Sequence, residues 1–99
     1  MAGGEDQDWQ RLDKWLWCAR FMKARADCAR FVATGLVRIN RQPTDKPHAK
    51  VRPGDVLTLA LGGAAGAVHV WRVLALSERR GPPDTARALY EDLAPPPEA

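Results

Sequence analysis

The sequence is short of most features that would mark a larger or more specialised protein. It has two cysteines, Cys18 and Cys28, too few for a disulfide framework and, even with His48 and His69, too few for a four-ligand zinc site. Both read as reduced, small apolar residues of a cytosolic protein. No apolar run reaches membrane-spanning length. The longest uncharged stretch, Val56–Val68, is interrupted by Gly62, Gly63 and Gly66 and falls short of the roughly 20 residues a span requires. The acidic, polar start is unlike a secretory signal. Glycine loops of the Walker or dinucleotide type are missing: Gly62-Gly63-Ala64-Ala65-Gly66 has no following lysine and lies between two strand-like segments, as a hairpin loop would. Neither histidine has a neighbouring serine, cysteine or carboxylate that would make a nucleophile with its base. Asp13, Asp27, Asp45 and Asp55 form no evident acid–base pair. With 99 residues there is room for one domain and a modest core, not for an enzyme fold with its own nucleotide-binding half. The expectation is a non-enzymatic chain without metal or cofactor.

What is present is positive charge, unevenly placed. The net charge is +3, but residues 11–52 alone hold eleven bases against Asp13, Asp27 and Asp45. The ten residues before them carry Glu5, Asp6 and Asp8 and no base, and residues 77–99 carry five acids against three bases. A basic block flanked by acidic ends points to a polyanion site confined to one part of the domain. Charge alone does not separate RNA from DNA, since both present phosphates.

Periodicity divides the chain further. Residues 1–9 read as a flexible acidic leader, residues 10–76 as the folded domain and residues 77–99 as a short helical tail. Leu12, Trp15, Leu16 and Ala19 follow helical spacing, with Asp13 in the first turn, and the pattern runs to about Arg20–Met22. Arg25, Cys28, Ala29 and Val32 repeat the spacing, and Gly35 marks the end of this second helix. Leu36–Asn40 alternates as a half-buried strand. Arg41-Gln42-Pro43 reads as a turn, Thr44–Lys50 as irregular, and Val51–Asp55 as a Pro-Gly turn. Val56–Leu61 and Val68–Leu74 are strands expected to pair as an antiparallel hairpin. Ala86, Leu89, Tyr90 and Leu93 give a final amphipathic helix capped by Asp84 or Thr85, closed by Pro95–Pro97.

Packing of the two helices on the first strand would bring several cations to one surface. Arg11 and Lys14 share a helix face. Arg20, Lys23 and Arg25 surround the connection between the helices. Arg38, Asn40 and Arg41 cluster at a strand end, with Lys46 and Lys50 beyond. Arginine adds bidentate contacts, and Asn40 both a donor and an acceptor. Among the tryptophans, Trp15 belongs to the apolar stripe and hence to the core, while Trp17 lies on another face beside basic residues, where stacking on a base and packing under the terminal helix are both open and packing is the preferred reading.

Taken in order, Arg11-Leu12-Asp13-Lys14-Trp15-Leu16, Lys23-Ala24-Arg25, Gly35-Leu36-Val37-Arg38-Ile39-Asn40, Lys46-Pro47 and Val51-Arg52-Pro53-Gly54-Asp55-Val56-Leu57 resemble the S4-type RNA-binding domain. That domain recurs in rRNA pseudouridine synthases and bacterial tyrosyl-tRNA synthetases. The tryptophan-rich start, Asp13 to Phe21, and the tail, Arg79-Arg80-Gly81-Pro82 followed by Ala86 to Tyr90-Glu91, are similar to the heat shock protein 15 group. The resemblance implies an α+β fold, with a helix-loop-helix packed on a small antiparallel sheet plus a short C-terminal helix. It implies that structured RNA is bound on the helix pair and the adjoining β-turn. The residues themselves set the other expectations: a cytoplasmic protein from its reduced cysteines, a non-catalytic one without cofactor from the lack of a nucleophile with its base, and a monomer from the small core and soluble composition. For the narrower group the resemblance implies the large ribosomal subunit, in particular free subunits holding a nascent chain on tRNA. Carried over by motif, the contact residues are Arg11, Lys14, Arg20, Lys23, Arg25, Arg38 and Asn40, joined by Lys46 and Lys50. The position before Arg25, often a hydroxyl residue in S4 domains, is Ala24 here. A second reading is an adaptor that lends its RNA-binding domain to an RNA-modifying enzyme, with the acidic tail and Trp17 as the partner site.

Overall fold

The apolar stripe of the first helical segment and that of the second need a common partner, and the strands supply it. The structure, a computed structural model, describes residues 8–61 and 68–93. Most of the leader, the glycine loop and the closing proline run lie outside the described residues. The elements are β1 (Gln10–Arg11), α1 (Leu12–Cys18), α2 (Arg25–Ala33), β2 (Val37–Ile39), β3 (Gln42–Thr44), β4 (Lys50–Val51), β5 (Val56–Ala60), β6 (Val68–Val73), α3 (Pro83–Arg87) and β7 (Tyr90–Asp92). Five strands form an antiparallel sheet in the order β3-β2-β5-β6-β7, and β1 pairs with β4 in a separate two-stranded ladder. This is the expected α+β arrangement, and β5 and β6 pair antiparallel from Val56↔Arg72 to Ala60↔Val68.

Alternation along the strands selects the covered face. Leu57 and Leu59 of β5 pair with Ile39 and Val37 of β2, and with Trp71 and His69 of β6. Against them pack Leu12, Trp15, Leu16 and Cys18 of α1 and Cys28, Phe31 and Val32 of α2. Trp15 is fully buried, its indole edge-on to Trp71 with ring centres 6.4 Å apart, and Trp71 stacks on Tyr90 at 3.9 Å. Burial pushes both thiols up, Cys28 to about 11, so both stay protonated. Trp17 is half-buried and packs against the same core.

The structure shifts several boundaries. α1 stops at Cys18 instead of running to Arg20–Met22, because Arg20 takes a left-handed φ of 63°. The Phe21 N–H then bonds the Leu16 carbonyl and the Arg20 N–H the Trp17 carbonyl, a Schellman-type ending. Gly35, at φ 83°, ends α2 as expected. The turn after β2 is Asn40-Arg41, at φ 52° and 75°, and Gln42–Thr44 is a strand instead of part of the turn. Pro43 is tolerated there because β3 is the edge of the sheet. Lys50–Val51 is likewise a strand, and the loop before it caps α1: the N–H groups of Leu12 and Asp13 bond the carbonyls of Ala49 and Pro47 at 2.8 and 3.0 Å. The C-terminal helix spans Pro83–Arg87, opening on Pro83 at its first position, with Pro82 and not Asp84 or Thr85 as its cap. Leu89 is buried, its carbonyl accepts from the N–H of Leu74 at 2.8 Å, and Tyr90–Asp92 joins the sheet beside β6.

The cap of α2 yields a test. Ala24 has the extended backbone of an N-cap, φ −118° and ψ 141°, with no side chain able to bond the first-turn amides. Ala24→Ser is expected to stabilise the fold by about 1 kcal/mol, seen as a raised urea midpoint at unchanged m-value.

Candidate nucleic-acid interface

The centre of the basic region is an acid. Asp13 is 4% exposed, and its carboxylate receives Arg11 in a bidentate pair at 3.1 and 3.0 Å. It also accepts the N–H of Lys14 at 2.7 Å and lies 3.5 Å from the Arg25 guanidinium. One buried carboxylate thereby ties β1, α1 and α2 together and aims two arginines outward. The hydrogen bonds and charge of Asp13 raise the pKa of Arg11 above the usual arginine value. Lys14 stands alongside, 3.6 Å from the Glu78 carboxylate. Arg11, Lys14 and Arg25 line a cleft of about 380 Å³ with Trp9, Gln10, Leu76, Ser77 and Glu78.

Lys50 extends this surface. The β1–β4 ladder sets it across from Arg11, and its ammonium lies 4.6 Å from the centre of the Trp9 ring. On its other side Lys50 borders a second groove, of about 460 Å³, with Asn40, Gln42, Thr44, Arg52 and Asp55 among its walls. Asn40 holds this groove in shape. Its amide donates to Asp55 at 3.0 Å and accepts the Val56 N–H at 2.9 Å. Both ends of that side chain are thus engaged within the fold.

The other sequence-predicted contacts disperse. Lys23 is exposed in the α1–α2 connection. Arg20, beside it, donates its Nε–H to the Gly81 carbonyl at 2.8 Å. Arg38 pairs in register with Thr58 and Pro43, so strand alternation sets it on the sheet face away from the helices. Lys46 is exposed beyond β3, 3.8 Å from Asp45, and borders neither the cleft nor the groove. Two cations absent from the predicted contacts join the basic region: Arg52 in the groove, and Arg80, whose Nε–H bonds the Trp17 carbonyl at 3.2 Å. Proximity of Arg80 to α1 could not be read from spacing, since it rests on a long-range path after β6. Among the described residues no cluster of metal-ligating side chains is present, and no helix is long and apolar enough to cross a membrane.

Arg41 at the hairpin tip is exposed and has no hydrogen bond or ion pair among the described residues to offset its left-handed backbone. Arg41→Gly restores the Asn-Gly pair such turns favour and is expected to raise stability by about 1 kcal/mol, measured by thermal melting.

A helix pair on a small antiparallel sheet, with cations gathered round the first helix and the ladder beside it, is the arrangement of an S4 domain, and the S4 domain model matches residues 10–57. Similarity extends past that segment. The chain is 42% identical to heat shock protein 15 of Escherichia coli K12 over 84 residues, covering 85% of this chain and 60% of that protein. It is 39% identical to the Haemophilus influenzae homolog over 83 residues, covering 83% and 60%. The 2.3 Å trimeric structure of Vibrio cholerae heat shock protein 15 superposes with a TM-score of 0.77 at 35% identity, covering 87% of this chain and 83% of that one. The chain belongs to the heat shock protein 15 family. It spans about 60% of the length of the curated relatives it matches.

Proposed function

We propose that this protein is a non-catalytic, cytoplasmic RNA-binding protein that docks on structured ribosomal RNA of the large subunit. In this reading it acts in the recycling of stalled subunits that still hold a nascent chain on tRNA. The observation that carries the RNA reading is the cleft in which Arg11, Lys14 and Arg25 gather around buried Asp13. Lysine and arginine there neutralise phosphates, and a rigid set of cations reads the shape of a folded RNA more than its sequence. Lys50 continues the same surface; Lys23, Arg20, Arg38 and Lys46 serve as outlying contacts, and Asn40 as the residue that holds the hairpin. The binding unit in this reading is the monomer.

The test is co-sedimentation of the purified chain with small subunits, large subunits and large subunits carrying peptidyl-tRNA, at low and moderate salt. Salt-sensitive pelleting with large subunits, strongest when peptidyl-tRNA is present, is the expected result. Equal pelleting with every particle removes the large-subunit assignment. No pelleting, with co-purification of an enzyme that survives nuclease treatment, favours an adaptor instead. Sedimentation of the free chain alongside decides between a monomer and a trimer like that of the Vibrio cholerae relative.

A further inference from the structure

The turn that ends α1 holds an arginine where glycine is the usual occupant, and a second arginine reaches it from far along the chain. The Trp17 carbonyl accepts two bonds, from the Arg20 N–H at 3.0 Å and from the Arg80 Nε–H at 3.2 Å. In return, the Arg20 Nε–H bonds the carbonyl of Gly81, the residue after Arg80, at 2.8 Å. Each guanidinium is therefore anchored through Nε on the segment that carries the other, and its two terminal NH₂ groups keep no bond or ion pair among the described residues. The segment bearing Arg80 is itself fixed along α1. The Trp15 indole N–H bonds the Ala75 carbonyl at 2.9 Å, the Gln10 amide and the Ser77 backbone exchange bonds, and the Cys18 thiol meets the Ser77 carbonyl at 3.6 Å.

Two arginines anchored on each other's segments, neither with an ion pair among the described residues, repel unless a ligand supplies negative charge. Their planar forks suit a phosphate, which accepts from both at once. We propose that Arg20 and Arg80 form a clamp for one backbone phosphate of the bound RNA, so that the strap after β6, outside residues 10–57 matched by the S4 model, supplies part of the binding surface. This rests on the RNA-binding reading above.

The test is filter binding of large-subunit ribosomal RNA, transcribed in vitro, across a salt series, with thermal melts of every variant. Arg80→Gln is expected to weaken binding about tenfold and to lower the slope of log K against log salt by about one. Arg80→Lys should restore most of the slope. Arg20→Gly, which relieves the left-handed backbone and so keeps the fold, should lose the same contact. The double variant should lose little more than either alone, because both hold one phosphate. Arg87→Gln, at the end of α3, is the charge-matched control and should bind like wild type. An Arg80→Gln variant that binds as well as wild type, or no worse than Arg87→Gln, overturns the clamp and leaves the RNA reading standing. So does lost affinity with an unchanged salt slope, the mark of a purely structural arginine. A wild-type chain that leaves the RNA free overturns both.

Discussion

Replacing Lys14 and Arg25 together with glutamine is expected to lower affinity for large-subunit ribosomal RNA by about 100-fold at moderate salt. The slope of log K against log salt should fall by about two, one for each phosphate released. Glutamine is the informative replacement because the structure sets Arg25 3.5 Å from the Asp13 carboxylate. A glutamate at position 25 would put a second carboxylate against a buried one, and lost binding would then be confounded with lost packing. Glutamine removes the charge and keeps a donor near Asp13. Arg11 stays in place, still bonded to Asp13 through both nitrogens, so the start of α1 keeps its geometry. Filter binding across a salt series checks the expectation, with a thermal melt to show that the fold survives. A double variant that binds within about twofold of wild type would remove the cleft from the interface.

The fold was largely legible because its information is periodic. Leu12, Trp15 and Leu16 announce one buried helix face, Val37 and Ile39 one buried strand face, and both faces meet in the core. What was not legible depends on pairing across long separations. Gln42–Thr44 contains a proline and looks like a turn, yet it lies at a sheet edge, where a strand proline is harmless. Tyr90–Asp92 continues a helical pattern in the sequence. The buried Leu89 and the stack of Tyr90 on Trp71 draw it into the sheet instead, a tertiary contact overriding a local one.

The candidate site divides in the same way. Arg11, Lys14 and Arg25 share a cleft because Arg11 caps α1, Lys14 lies in its first turn and Arg25 opens the helix packed beside it, and of these the three-residue spacing of Arg11 and Lys14 is legible in the sequence. The β1–β4 ladder that brings Lys50 across from Arg11 joins segments about forty residues apart, and the sequence offered no sign of it. Arg38 sits in a motif that suggests contact, but alternation sends it to the other sheet face. Arg80 shows the converse, with a plain tail residue led back to α1 by backbone carbonyls that no sequence pattern displays.

Trp15→Ala is expected to be the most damaging single change to stability, costing about 3–5 kcal/mol. Against a total of about 5–15 kcal/mol for a domain of this kind, that places the variant at or near the unfolding threshold at 37 °C. The side chain is fully buried edge-on to the stacked Trp71 and Tyr90, and neither α1 nor the sheet can close the resulting void without moving the other. A large fall in the urea midpoint, with loss of near-ultraviolet signal, is the expected reading. Trp15→Phe separates packing from tethering. It keeps most of the aromatic volume but withdraws the N–H that holds the Ala75 carbonyl at 2.9 Å, at a cost of about 1–2 kcal/mol. That carbonyl begins the strap that ends at Arg80 and Gly81. If the strap forms part of the binding surface, Trp15→Phe lowers RNA affinity and the salt slope although residue 15 is itself inaccessible to RNA. If binding is confined to the cleft round Asp13, Trp15→Phe costs stability alone.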